Sequence, residues 1–283
     1  MNRETTGLVS LLLMTHFSAS AQSRPEANIP ENHPSARGIG QVPRSDRNSL
    51  LAHEQLLEKA RKGGIDLYFA GDSITRRWGT GDAAYRDFLD NWKANFHGWN
   101  AGNFRWGGDT VHNVLWRIRH GELDGVHPKV TVLLAGTNNL GGAAGGGDPV
   151  VEEVIGELTA LLETVREKAP GATIILTAIM PRNDRAHGVS LMPTINRINE
   201  RLARLADGKQ ICLINVNDKL ADREGKLVEG MTVDGLHLSV KGYQIWADAL
   251  KPVLTERLGP PAATDHAPAP TADPSAAPPN SKP

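Results

Sequence analysis

The feature that most limits what this chain can fold into is a repeated pair of patterns. Short apolar runs alternate with longer stretches whose apolar residues recur at helical spacing. Ile65-Asp66-Leu67-Tyr68-Phe69-Ala70 reads as a first strand. Val130-Thr131-Val132-Leu133-Leu134-Ala135, Thr173-Ile174-Ile175-Leu176-Thr177-Ala178 and Ile211-Cys212-Leu213-Ile214-Asn215-Val216 read as three more, and a weaker one falls near Trp99–Phe104. Helical spacing occupies 49–62, 109–119, 149–168, 190–206 and 240–257. Strands that alternate with helices argue a parallel sheet covered on both faces, a three-layer α/β/α sandwich. In such sheets ligands bind beyond the carboxyl ends of the strands.

Composition sets the outer bounds. The chain has 283 residues, 40% of them apolar, enough for one good-sized core. Its formal net charge is −1. That removes the electrostatic case for a nucleic-acid partner, and no polybasic stretch suggests an anionic membrane surface. One cysteine, Cys212, excludes an internal disulfide, and its apolar setting predicts a buried thiol. The ten histidines show no zinc-site spacing, so no metal and no organic cofactor is expected.

The ends differ from the middle. Leu8–Met14 is a short apolar run followed by Ala19-Ser20-Ala21, the pattern of a signal peptide over 1–21. This predicts an exported protein, periplasmic or secreted, cleaved near Ala21. The run is too short for stable membrane insertion. Residues 22–45 read as a Pro-containing linker, and 46–258 as the folded domain. Residues 259–283, mostly Pro, Ala, Ser and Asp, read as a disordered tail with no core of its own.

Four segments at the ends of strands carry chemistry. Gly71-Asp72-Ser73-Ile74-Thr75 places Ser73 where the first strand turns into a helix, beside amides that can stabilise an anion. The same Ser could instead cap that helix. Asp234-Gly235-Leu236-His237 sets a carboxylate and an imidazole three residues apart, just before the last helix. A tight turn there lets Asp234 hold one ring nitrogen while the other faces the cleft. Gly107-Gly108-Asp109-Thr110 opens a helix, with Gly108 able to offer a bare backbone N–H and Asp109 reading as the helix cap. Gly136-Thr137-Asn138-Asn139 follows the strand at 130–135, and an Asn side chain there could donate to an oxyanion. Turn glycines and a loop Asn are the plainer alternatives for these last two segments. Arg76, Arg77 and Trp78 could line a pocket or face solvent. Gly141–Gly147 lacks the Lys-Ser/Thr of a phosphate loop and reads as a surface loop.

Taken together, the order Ser, Gly, Asn, Asp-x-x-His resembles the SGNH (GDSL-type) hydrolase family over about 65–250. Asn103-Phe104, Gly107-Gly108-Asp109-Thr110, Val114-Leu115-Trp116-Arg117, Gly121-Glu122-Leu123 and Pro128-Lys129-Val130 look most like the platelet-activating-factor acetylhydrolase catalytic subunits and their bacterial relatives. The resemblance implies a five-stranded parallel sheet in flavodoxin-like order. It implies Ser73 as nucleophile, Asp234 and His237 completing a triad, and an oxyanion hole of Ser73 N–H, Gly108 N–H and the Asn138 side chain. The implied activity is serine-dependent hydrolysis of short-acyl esters, on a small-molecule or carbohydrate substrate. Polysaccharide deacetylation is the rival within that chemistry, and a non-catalytic binding module the rival outside it. Arg105-Trp106 and the Gly141–Gly147 insertion depart from the acetylhydrolase pattern, near the expected cleft.

Overall fold

A computed structural model describes residues 42–141, 147–184 and 190–276. The leader over 1–21, most of the linker and the centre of the Gly141–Gly147 stretch lie outside them. Five strands form one parallel sheet: β1 Leu67–Gly71, β2 Ala101–Arg105, β3 Val130–Leu134, β4 Thr173–Thr177 and β5 Ile211–Ile214. Their order is β2-β1-β3-β4-β5, as the resemblance implies. β1 and β3 are buried along their whole length, which is why both read as unbroken apolar runs.

Alternation along the strands divides the core in two. Tyr68, Ala70, Leu133, Ile174 and Leu176 face one side, against α1 (Arg47–Lys62), α4 (Val111–Arg117), α5 (Asp148–Lys168) and α6 (Met192–Leu205). Leu67, Phe69, Val130, Val132 and Ile175 face the other, against α2 (Ser73–Trp78), α3 (Arg86–Phe96) and α8 (Val240–Leu258). A one-turn helix, α7 (Asn217–Leu220), follows β5. The helices begin where capping chemistry puts them. Asp46 accepts from Ser49 N–H at the start of α1, and Ser239 from Gly242 N–H at the start of α8.

Three sequence expectations need correction. Asp109 does not cap α4; Thr110 does, in a reciprocal capping box with Asn113, which frees the Asp109 carboxylate for ion pairing. Cys212 is half-buried, because β5 is an edge strand. The third concerns the tail. Residues 259–276 are laid along the domain. Gly259 O accepts from Trp99 Nε1 at 2.9 Å, Ala262 N–H donates to Gly98 O at 2.9 Å, and Thr271 O accepts from Gly81 N–H at 2.9 Å. Asp265 accepts from Gly98 N–H, and Asp273 reaches Arg76. Composition is a poor guide here, because the tail binds through backbone and carboxylate groups. Its prolines lower the entropy lost on fixing that course.

Removing residues 259–283 should therefore destabilise the domain. Each lost hydrogen bond is worth about 1 kcal/mol net. The several described here amount to a few kcal/mol, and for a domain of this size about 2–4 °C per kcal/mol. Calorimetry on the shortened chain should show a melting temperature lower by roughly 5–10 °C. An unchanged melting temperature would mean that these contacts carry no net stability.

Candidate active site

Ser73 is the first residue of α2, directly after β1. Asp72 caps the helix, its Oδ1 accepting from Ile74 N–H at 2.9 Å. The capping function thus falls to Asp72 and leaves the Ser73 hydroxyl available. That hydroxyl lies 2.9 Å from His237 Nε2, and His237 Nδ1 lies 2.7 Å from Asp234 Oδ2. The structure brings together three residues that are up to 164 positions apart.

The turn carrying Asp234 and His237 explains why so short a motif suffices. Asp234 Oδ1 accepts from the backbone N–H groups of His237 (2.8 Å) and Leu236 (3.1 Å) while Oδ2 takes the ring. Val233 N–H donates to His237 O, closing the loop. Gly235 has φ +81°, and a Cβ there would overlap Asn183 Oδ1, so the tight turn requires glycine.

Partial burial pushes the Asp234 carboxyl upward, but its bonds from His237 backbone and ring, and from Leu236, outweigh that and hold it down to about 2. Burial lowers His237 below its usual value; Asp234 works against this and Arg77 works with it. His237 is thus neutral at neutral pH, able to accept a proton from a hydroxyl within hydrogen-bond reach.

Arg77 neither packs into the core nor points freely into solvent, but meets the Asp234 carboxylate. Its Nη1 lies 3.1 Å from Asp234 Oδ2, the oxygen that also binds His237. Arg76 pairs with Asp82 and lies over the Trp106 ring, 4.5 Å from its centroid. Trp78 is fully buried core.

Gly107 and Gly108 follow β2; a Cβ on Gly107 would lie 3.9 Å from Ser73 Cβ, and one on Gly108 would meet the Arg44 guanidinium. Gly108 has φ +78°. Arg44 from the N-terminal segment fixes this loop by donating to Gly107 O at 2.6 Å and to Asp109 Oδ1 at 3.3 Å. Asp109 is fully buried against Arg117 Nε at 2.6 Å, and Arg117 also bonds Ser49 Oγ and approaches Glu122. Glu122 in turn pairs with His53 Nδ1 at 2.8 Å. Burial works against the Arg117 charge, but Asp109 and Glu122 outweigh it and raise its pKa.

The two asparagines after β3 separate cleanly. Asn139 is tied away from the rim: Oδ1 accepts from Val111 N–H and Nδ2 donates to Glu157. Asn138 Nδ2 donates to Asp109 O at 2.8 Å, beside the glycine loop. Arg182 donates to Thr137 O and Oγ1, anchoring that turn from the far side. Arg105, expected near the cleft, is buried away from it, donating to Gly79 O and Asn103 O. Arg44 and Arg182 carried no signal in the sequence, since nothing in spacing pairs them with loops 45–65 residues away, and Arg117 stood in the Val114-Leu115-Trp116-Arg117 motif without its partner being indicated. Among the described residues no group of three or more His, Cys, Asp or Glu could hold a metal ion, and no helix is long and apolar enough to cross a membrane.

A flavodoxin-ordered parallel sheet with Ser, Gly, Asn and Asp-x-x-His gathered at its carboxyl rim defines the SGNH/GDSL class of hydrolase folds. The model of the GDSL-like Lipase/Acylhydrolase family matches residues 69–245, and the chain belongs to that family. It is 28% identical over 214 residues to platelet-activating factor acetylhydrolase IB subunit alpha1 of Bos taurus, covering 75% of this chain and 85% of that one. A GDSL-like lipase of Bacteroides thetaiotaomicron VPI-5482 superposes with a TM-score of 0.58 at 21% identity, covering 72% of this chain and 97% of that one. An acetyl xylan esterase, AlAXEase, shares the fold with a TM-score of 0.51 at 20% identity, over 67% and 100% of the two chains.

The ion pair under the glycine loop gives a test. Arg117→Met leaves the buried Asp109 with only the longer contact to Arg44, which should cost about 3 kcal/mol in a denaturant melt. Asp109→Asn together with Arg117→Met should recover much of that loss. A single variant as stable as the parent would show that the pair contributes nothing at this position.

Proposed function

We propose that this chain hydrolyses carboxylic esters with short acyl groups, acetyl above all, through an acyl-enzyme on Ser73. The observation that carries the reading is the continuous relay from Ser73 Oγ through His237 to Asp234, at 2.9 and 2.7 Å. Ser73 Oγ attacks the ester carbonyl while His237 Nε2 takes its proton. The charge that develops on the carbonyl oxygen is met by Ser73 N–H, Gly108 N–H and an Asn138 Nδ2 proton. His237 returns its proton to the departing alkoxide. Water, activated by the same imidazole, then attacks the acyl-serine and releases the acid. Asp234 holds the ring in the productive tautomer and stabilises the imidazolium.

The similarity to the acetylhydrolase subunit supports a small acyl group. Deacetylation of a polysaccharide is the rival, and part of its sequence support weakens, because residues 259–276 lie on the domain and do not form a spacer. A panel that sets nitrophenyl esters of rising acyl length against acetylated xylan separates the two. Export after cleavage near Ala21 belongs to the same proposal and rests on residues 1–21 alone.

Ser73→Ala should remove hydrolysis, with a loss on the order of 10⁶ in turnover, and should abolish labelling by a fluorophosphonate. Near-normal turnover by a variant with native circular dichroism would take Ser73 out of the mechanism, and an unlabelled parent would favour a binding module.

Asn138→Ala should cost on the order of 10²–10³ in kcat with little change in KM, the signature of a lost oxyanion donor. Asn139→Ala should leave kcat closer to normal and act through stability, since it strands the Val111 N–H and takes one donor from Glu157. The reverse ranking, in steady-state kinetics on folded proteins, would move the donor to Asn139.

A further inference from the structure

A cavity of about 220 Å³ lies well away from the triad, at the open edge of β2. Its walls come from α1 (Lys59), α3 (Trp92 and Phe96), β2 (Ala101 and Asn103) and the tail from Asp265 to Pro270. At its inner end the charge balance is unusual. Lys59 is 4% exposed and Arg105 is 2% exposed, and neither has a carboxylate in ion-pair contact among the described residues. They share one acceptor: Asn103 O lies 3.4 Å from Lys59 Nζ and 3.2 Å from Arg105 Nη1. Arg105 Nε and Asn103 Oδ1 have no hydrogen-bond partner. Buried cations are ordinarily paired.

The edge carbonyl and the Phe104 ring, its centroid 5.4 Å from Nζ, are the partners of the Lys59 ammonium, and neither is an anion. The cavity is lined mainly by rings, prolines and alanines, with Lys59 contributing to its wall. Asp265 keeps its charge but makes no ion-pair contact with Lys59: its oxygens accept from Gly98 N–H and Ala267 N–H at 2.9 Å each, and Oδ2 lies 3.9 Å from His97 Nδ1. We propose that this cavity is a binding site for a small organic carboxylate, its anionic head on Lys59 and its apolar body between Trp92, Phe96 and the tail prolines. An engineered apolar cavity of ~150 Å³ accepts benzene, so this one holds a ring with a carboxymethyl arm. Inorganic phosphate lacks the apolar body, and an amine places like charge against Lys59. The site is separated from Ser73 by the length of α2, since Gly79 lines it and Ser73 begins that helix. It stands whether or not the esterase reading does.

Titration supplies a second readout. Burial, then the charge of Arg105, brings Lys59 down to about 7. Arg105 faces it from β2, Lys93 and His97 from α3 and its C-terminal end, and Asp265 from the tail. Below pH 7 the empty site is cationic. Above it, a carboxylate binds only as Lys59 takes up a proton, so affinity falls as pH rises towards 9.

The test is isothermal calorimetry on the full chain with phenylacetate, 2-phenylethanol, phenethylamine and inorganic phosphate. Phenylacetate should bind at least tenfold more tightly than the other three, and more weakly at pH 9 than at pH 6. Lys59→Met keeps the aliphatic stem and should weaken phenylacetate at least tenfold, flatten its pH dependence and leave 2-phenylethanol unchanged. Ala267→Trp, made on the tail, should fill the cavity and block both. Unaltered melting and unaltered turnover of nitrophenyl acetate show that the variants are folded. No heat with the parent, equal binding of phenylacetate and 2-phenylethanol, or full retention by Lys59→Met would overturn the proposal. A pH slope that persists in Lys59→Met also overturns it. So does binding lost on fluorophosphonate capping of Ser73 but kept in Lys59→Met, since the ligand would then occupy the catalytic cleft.

Discussion

A parallel sheet delivers every strand's carboxyl end to the same rim, and the rest of this molecule depends on that constraint. β1 lies between β2 and β3, so the turns after three neighbouring strands open side by side. Ser73, Gly108 and Asn138 each sit at one of those turns. The chain reverses its direction of winding between β1 and β3, where such sheets leave a crevice. Only Asp234 and His237 arrive from elsewhere, on a loop that closes through its own backbone. Four contributions separated by up to 164 residues thus need no long-range adjustment beyond correct strand order.

Strand order places these groups, but ionic contacts hold the loops rigid. A line of polar contacts runs from His53 through Glu122, Arg117 and Asp109 to Arg44, beneath and then over the glycine loop. Buried ions of this kind contribute little net stability against an apolar replacement, because desolvation offsets attraction. Their contribution here is directional. Asp109 has one bonding arrangement with Arg117, and the Gly107-Gly108 turn is attached to it. Arg182 does the same for Thr137 from the opposite wall.

The fold and the candidate site differ in how much of each the sequence displayed. β1, β3, β4, β5 and five of the helices were legible because burial imposes a pattern on consecutive residues, and β2 was legible only weakly. The short helix at Ser73–Trp78 and the one at Arg86–Phe96 were not, since α2 has too few turns to show a period and α3 keeps polar residues between its aromatic anchors. At the site, Ser73, Gly108, Asn138, Asp234 and His237 stood out because each lies in a contiguous motif. Arg44 and Arg182 did not, because a contact between distant residues leaves no trace in spacing. Asp109 was misread because its neighbour Thr110 supplies the cap, and its own partner, Arg117, lies eight residues further on. The tail was misread because composition reports on apolar burial alone.

The aromatic packing behind α2 has an optical consequence. Trp78 stacks on Trp246 with ring centroids 5.0 Å apart and on Tyr243 at 4.9 Å, while Trp92 meets it edge-on at 5.5 Å. Indoles this close and this asymmetrically fixed couple their transition dipoles, and such signals vanish when fixed packing is lost even if the helices persist. Trp78 closes the helix that Ser73 opens, so the near-ultraviolet dichroism of this cluster is a built-in gauge of where that helix sits.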